Sequence, residues 1–242
     1  MGAIWHSGDV PTAHRDDALA RLCESWHADA RVLAPDAPHP LRTAEVDHLL
    51  AGWSEPHRRY HDVRHLVEVI GAVAELEEAG ETDAVGARLA RVAGWYHDLA
   101  YDPRAAPGSN EHRSATVARD HLNTLGVARG TVDVVEALIL MTVDHDAAGD
   151  RPALASRRHT AAVFHDADLW ILSAPESRYR EYAVQVRAEY AHVPDDLFAR
   201  ARAGILGDFT GRAQLYRTGH ARTQWEGRAR ANVAAELRRL GA

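Results

Sequence analysis

HDVRHLVEVIGAVAELEEAG, residues 61–80, decides the fold. Leu66, Val69, Ile70 and Val73 recur at a spacing near 3.6, which lines one helix face with apolar side chains and leaves the charged ones opposite. Gly80 follows as a helix stop. Strand-like alternation is absent here and rare elsewhere. The next segment, 83–99, repeats the pattern with Leu89, Val92 and Trp95 on its apolar side.

Working outward, residues 12–33 also read as a helix, with Ala18, Leu22 and Trp26 on one face. APDAPHP at 34–40 breaks it. Residues 43–53 form a short helix that Thr43 caps, and Glu55-Pro56 ends it. The loop YDPRAAPGSN, 101–110, separates the helix 83–99 from those that follow. Helices are expected over 111–125, 130–145, 157–172, 176–191, 195–206 and 219–240. The chain therefore reads as one all-α domain. Residues 1–40 are a helical extension of that domain and residues 41–242 its main body.

Composition narrows the function. The chain has 242 residues, 46% of them hydrophobic, enough to bury a sizeable core. No apolar run reaches membrane-spanning length. The N-terminal stretch lacks the pattern of a secretory leader, and the one cysteine, Cys23, fits a reducing cytoplasm. A net charge of -7 argues against general nucleic-acid binding. The chain contains no lysine, which removes Schiff-base and P-loop chemistry. Phosphate recognition falls to arginine, histidine, backbone N–H groups or a metal.

Three stretches carry chemistry. RRYHDVRHL, 58–66, places His61 and His65 on one helix face, four residues apart. GWYHDLAYDP, 94–103, ends an apolar helix on His97-Asp98. HDADLWIL, 165–172, puts Asp168 just ahead of an apolar run, with Asp166 as its rival. A carboxylate leading a buried segment needs compensation. The His-Asp dipeptide occurs at 61–62, 97–98, 145–146 and 165–166, so the pair alone means little. Its order matters more: a histidine on one helix, a His-Asp pair ending the next and a distant aspartate can enclose one ion. Two imidazoles and two carboxylates suit Mn, Fe, Zn, Ni, Co or Mg.

These residues resemble the signature of the HD-domain superfamily of metal-dependent phosphohydrolases. EPHRRYHDVRHL, WYHDLAYDP, NEHRSA, LILMTVDH and RAEY are similar to a bacterial subgroup of that superfamily, from about residue 41 to the C-terminus. The resemblance implies a helical bundle with the metal site between core helices and His65, His97, Asp98 and Asp168 as ligands to one or two ions. YHDVRH is also similar to the YHNxxH stretch of cyclic-nucleotide phosphodiesterases. That likeness implies His61 as general acid, with Asp62 where the pattern has Asn and in a position to orient His61. Glu111 is expected to hold or deprotonate the attacking water. Arg58 is expected to bind substrate and His145 to bind substrate phosphate or a second metal, with Arg59, Arg64 and Arg113 as further phosphate candidates.

The expected reaction is hydrolysis of a small phosphorylated metabolite, a nucleotide first, by a metal-activated water. Two alternatives stand beside it. One is a di-iron oxygenase of the same fold, which would use further histidines among His112, His121, His145, His159 and His165. The other is a nucleotide-binding module without turnover. Arg187-x-Glu189-Tyr190 belongs to the resemblance without an assigned role. The amphipathic segment 221–240 packs on the core or serves a homodimer.

Overall fold

A computed structural model describes residues 12–145 and 151–241, with side chains from residue 17 onward. The start of the N-terminal stretch and Asp146 of one His-Asp pair lie outside the described residues. Eleven α-helices and two 3₁₀ turns make up the regular structure, with no strand among the described residues. The helices are α1 Thr12–Leu33, α2 His39–Trp53, α3 Val63–Glu78, α4 Ala84–Tyr96, α5 Ser109–Thr124, α6 Arg129–Met141 and α7 Arg158–Asp168. They continue as α8 Glu176–Glu189, α9 Asp195–Gly211, α10 Gly219–Gln224 and α11 Glu226–Leu240.

The chain forms one all-α bundle. Helices α3, α4 and α7 pack on one another at its centre. The α5–α6 pair flanks α4, α1 covers α2, α3 and α4, and α9 with α11 closes the far side. Two aspartates start the central helices. Asp62 Oδ1 accepts from the N–H of Arg64 at 2.9 Å and of His65 at 3.4 Å, and so caps α3. Asp83 caps α4 through the Gly86 N–H at 2.7 Å. Gly80, with φ of 78°, turns the chain between them, a conformation that glycine adopts without steric cost.

Close approach of α3 and α4 brings their histidines together. A Cβ added at Gly94 would stand 3.2 Å from Ile70 and 3.3 Å from Val69. Glycine is therefore what lets the two backbones meet. Trp26, Trp53 and Trp95 are fully buried around this contact. Trp53 Nε1 donates to the Trp95 carbonyl at 2.8 Å, tying α2 to α4.

Several expected boundaries move. Helix α3 begins at Val63 with Asp62 as its cap, so His61 lies ahead of the helix and not on its face with His65; α6 ends at Met141 and α9 runs on to Gly211. Helix α2 begins at His39, so Thr43 lies inside it and does not cap it; Pro40 sits in the first turn, where its missing N–H is harmless. The helix expected at 157–172 tightens into a 3₁₀ turn, Leu169–Ser173, straight after Asp168. The helix expected at 219–240 breaks at Trp225, whose buried indole donates to Glu75 at 3.0 Å.

Gly94→Val should overpack the α3–α4 contact and cost about 1–3 kcal/mol in urea unfolding. Gly71→Ala is the control: no atom lies within 4 Å of the added carbon, and the change should gain about 0.5–1 kcal/mol from helix propensity.

Candidate metal centre

The C-terminal end of α4 delivers the His-Asp pair. His97 is the last turn's cap and Asp98 follows in the turn. His97 Nδ1 lies 2.9 Å from the Gly94 carbonyl. A carbonyl only accepts, so Nδ1 carries a hydrogen and Nε2 is left to face the site. His65, in the first turn of α3, meets it there with Nε2 to Nε2 at 3.3 Å.

Two carboxylates close on the same nitrogens. Asp98 Oδ2 lies 3.1 Å from His97 Nε2 and 3.8 Å from His65 Nε2. Asp168 Oδ1 lies 3.2 and 3.5 Å from them. His65, His97 and Asp98 form a group whose donor atoms all lie within 4.8 Å of one another. Donors bound at about 2.1 Å to one ion stand about 3–3.5 Å apart; His65, His97 and Asp98 make a group able to hold one, and Asp168 Oδ1 adjoins both imidazoles. The electrostatics agree. Burial opposes a charge on His97, yet Asp98 and Asp168 override it and hold its pKa well above the ordinary value. Burial likewise opposes the charge on Asp98 and on Asp168, and His97 draws both carboxyls below the usual range. The cluster attracts positive charge, as a cation site does.

Asp166, the rival of Asp168, has a different task. It is fully buried and accepts from the N–H of Arg217 at 2.9 Å and of Thr218 at 2.8 Å. It also meets His165 Nδ1 at 2.7 Å. The turn at 217–218 hangs on this carboxylate.

His61 stands beside the cluster, its Nε2 3.9 Å from Asp98 Oδ2. Asp62, occupied with capping α3, is not what orients it. That partner is Glu189, at the end of α8, whose Oε2 lies 2.7 Å from His61 Nδ1. Glu189 Oε2 also accepts from the Tyr101 hydroxyl at 2.8 Å. Its Oε1 takes the N–H groups of Arg59, Tyr60 and His61 at 2.8, 2.9 and 3.0 Å. Burial alone would raise the Glu189 pKa; the His61 hydrogen bond and charge, with the backbone donors, bring it down to about 2. Burial also opposes the His61 charge, but Glu189 and Asp98 raise its pKa. Sequence reasoning passed over Glu189: a glutamate in a charged helix looks solvated, and only the RAEY segment marked it.

Arg58 is not available to a substrate. Its guanidinium is fully enclosed and donates to Glu55 and to the carbonyls of His61, Asp98 and Leu99 at 2.8–3.2 Å. It fastens the 55–61 loop to the turn that carries Asp98. Arg64 pairs with Glu181 at 2.7 Å, Arg59 donates to the Pro56 and Arg58 carbonyls, and Arg113 to Asn110. A cavity of about 680 Å³ is lined by Trp53, Arg58, Arg59, Arg64 and Glu181. Its lining includes none of the four clustered residues.

Glu111 lies in the first turn of α5, and its Oε2 is enclosed without a hydrogen-bond partner. Burial raises the pKa of the Tyr190 hydroxyl, against the Tyr101 hydrogen bond, and the charges of Glu189, Asp98 and Glu111 add to the rise. His145 holds a positive φ of 51°, its Nδ1 4.0 Å from Asp168 Oδ2. Its ring meets that of His165 edge-on at 5.9 Å, and His165 Nε2 is buried without a partner. His112, His121 and His159 make other contacts or lie outside this cluster: His112 Nδ1 meets the Gly108 carbonyl and His121 meets Glu45. No helix among the described residues is long and apolar enough to cross a membrane. No protein-family model, curated protein or solved structure matches the chain.

Glu189 contributes stability at neutral pH because its folded pKa is depressed. That contribution is fully present above the ordinary glutamate value of 4.5 and is lost as pH falls toward about 2. Glu189→Gln should lower unfolding free energy by about 1–3 kcal/mol at pH 7. Urea titrations between pH 6 and 3 should show a shallower acid loss in the variant than in the parent.

Proposed function

We propose that this chain is a metal-dependent phosphohydrolase of the HD-domain type, acting on a small phosphorylated metabolite with a nucleotide as first choice. One observation carries the reading: the Nε2 atoms of His65 and His97 lie 3.3 Å apart and each within 3.1–3.8 Å of a carboxylate oxygen of Asp98 and of Asp168, beside a histidine whose Nδ1 is held by Glu189. Those four residues would hold a divalent ion such as Mn, Fe, Zn, Ni, Co or Mg. A bound divalent ion there supplies Lewis acidity to a phosphoryl oxygen and lowers the pKa of water.

The protein's own groups do the rest. Glu189 accepts the Nδ1 hydrogen of His61 and stabilises the ring in its charged form. This leaves His61 Nε2–H to protonate the leaving oxygen. Glu111, whose buried Oε2 has no hydrogen-bond partner, would take up a proton from the attacking water. The Tyr101 ring packs against that of His61 at 4.4 Å. Positioning and charge supply most of the rate in phosphoryl transfer.

The His145–His165 pair favours the second reading, a di-iron oxygenase. His145 approaches Asp168, and His165 offers a buried nitrogen without a partner. Two irons per chain and substrate-dependent oxygen uptake would replace the hydrolase.

Metal-stripped protein resupplied with each divalent ion should release phosphate from at least one member of a nucleotide and sugar-phosphate panel. Asp98→Ala should abolish release and bound metal together. His61→Asn should keep its metal and lose about 10²–10⁴ in kcat. Metal binding with no release from any substrate would sink the hydrolase.

A further inference from the structure

The segment 212–218 runs past His145 with its backbone fastened on both sides. Arg230 of α11 donates to the carbonyls of Thr210, Arg212 and Ala213 at 3.3, 3.0 and 3.1 Å. Glu226 accepts from the N–H groups of Leu215 and Tyr216 at 3.1 and 3.2 Å. Asp166 takes the next two, from Arg217 and Thr218. With the backbone so held, Arg217 meets His145 directly and Arg212 adjoins it through Phe209.

They differ in use. Arg217 donates to the His145 carbonyl and lies 3.9 Å from Met141 Sδ, so it holds His145 in its left-handed conformation. Arg212 lays its guanidinium over the Phe209 ring at 4.9 Å, and Phe209 packs on the His145 ring at 6.0 Å. Arg212 makes no ion pair with any carboxylate among the described residues. Arg58, Arg64, Arg91, Arg178 and Arg202 each pair with a glutamate or aspartate. A guanidinium stacked on an aromatic face keeps its N–H edge for a planar or tetrahedral anion.

The contacts therefore run outward from the cluster: Asp168 to His145 at 4.0 Å, His145 to Phe209, Phe209 to Arg212. We propose that Arg212 recognises a second anionic group of the substrate, so that the site selects molecules with more than one phosphoryl group over monophosphates. The proposal rests on the phosphohydrolase reading for the position of the first phosphoryl group. It replaces Arg58, which is enclosed, as the arginine that reads substrate.

Calorimetry on the manganese-loaded full chain tests it with inorganic tripolyphosphate and orthophosphate as probes. The parent protein should bind tripolyphosphate more tightly. Arg212→Ala should weaken tripolyphosphate by about 10- to 100-fold, the range of lost charge-assisted hydrogen bonds. Orthophosphate affinity and manganese content should not change, and Arg212→Lys should recover part of the loss. Equal weakening of both probes, no weakening, or no preference in the parent would overturn the proposal. Phosphate release by the parent separates the two readings. Arg212-dependent tripolyphosphate binding without turnover of any substrate removes the hydrolase and keeps the anion site. Turnover with an Arg212→Ala kcat/KM unchanged for every substrate does the reverse.

Discussion

Two carboxylates, Asp98 and Asp168, sit against two buried imidazoles inside a helical core, and the charge of that cluster has to be balanced there. An ionised carboxylate taken out of water is costly unless a cation or several donors meet it. The surrounding helices are arranged to satisfy this requirement. Gly94 allows α3 and α4 to meet closely enough for His65 and His97 to face each other. Asp62 ends the approach loop and starts α3 so that His65 falls in the first turn. The 3₁₀ turn after α7 begins at Leu169, right behind Asp168, and its apolar residues anchor that aspartate in the core.

A second set of charges orders the layer around the cluster. Arg58, enclosed by Glu55 and three carbonyls, joins the 55–61 loop to the turn of Asp98. Glu189 receives three successive N–H groups of the same loop and the ring of His61. One loop is thus held between a buried cation and a buried anion. Each of the two is fully supplied with partners, which is the condition under which a buried charge is tolerated. The orientation of His61 follows from this frame and not from its neighbour Asp62.

The helices were largely legible in the sequence. Apolar spacing near 3.6 placed α1, α3 and α4, and the Pro-rich and Gly breaks placed most of the turns. Errors fell where tertiary packing overrode local pattern: at Trp225, whose indole is drawn into the core, and at Leu169, where the helix tightens. The four clustered residues were legible from the order of a histidine, a His-Asp pair and a distant aspartate together with the resemblance that order carries. Glu189 and Arg212 were not. Glu189 lies in a helix rich in arginine and acidic residues and Arg212 in the turn after α9, and in neither place does local sequence tell a buried partner from a solvated charge.

The sequence by itself determined the class of fold, the helix faces that form the core and the residue types able to gather a cation. Periodicity and side-chain chemistry are local properties, and the chain carries them residue by residue. The tertiary structure alone decided which charges meet. Glu189 reaches His61 across 128 positions, and Asp166 rather than Asp168 takes the backbone of residues 217 and 218. It also decided that Arg58 is enclosed while Arg212 makes no ion pair among the described residues. Burial and pairing depend on how distant helices pack, and no local pattern encodes the distance between two side chains far apart in the chain.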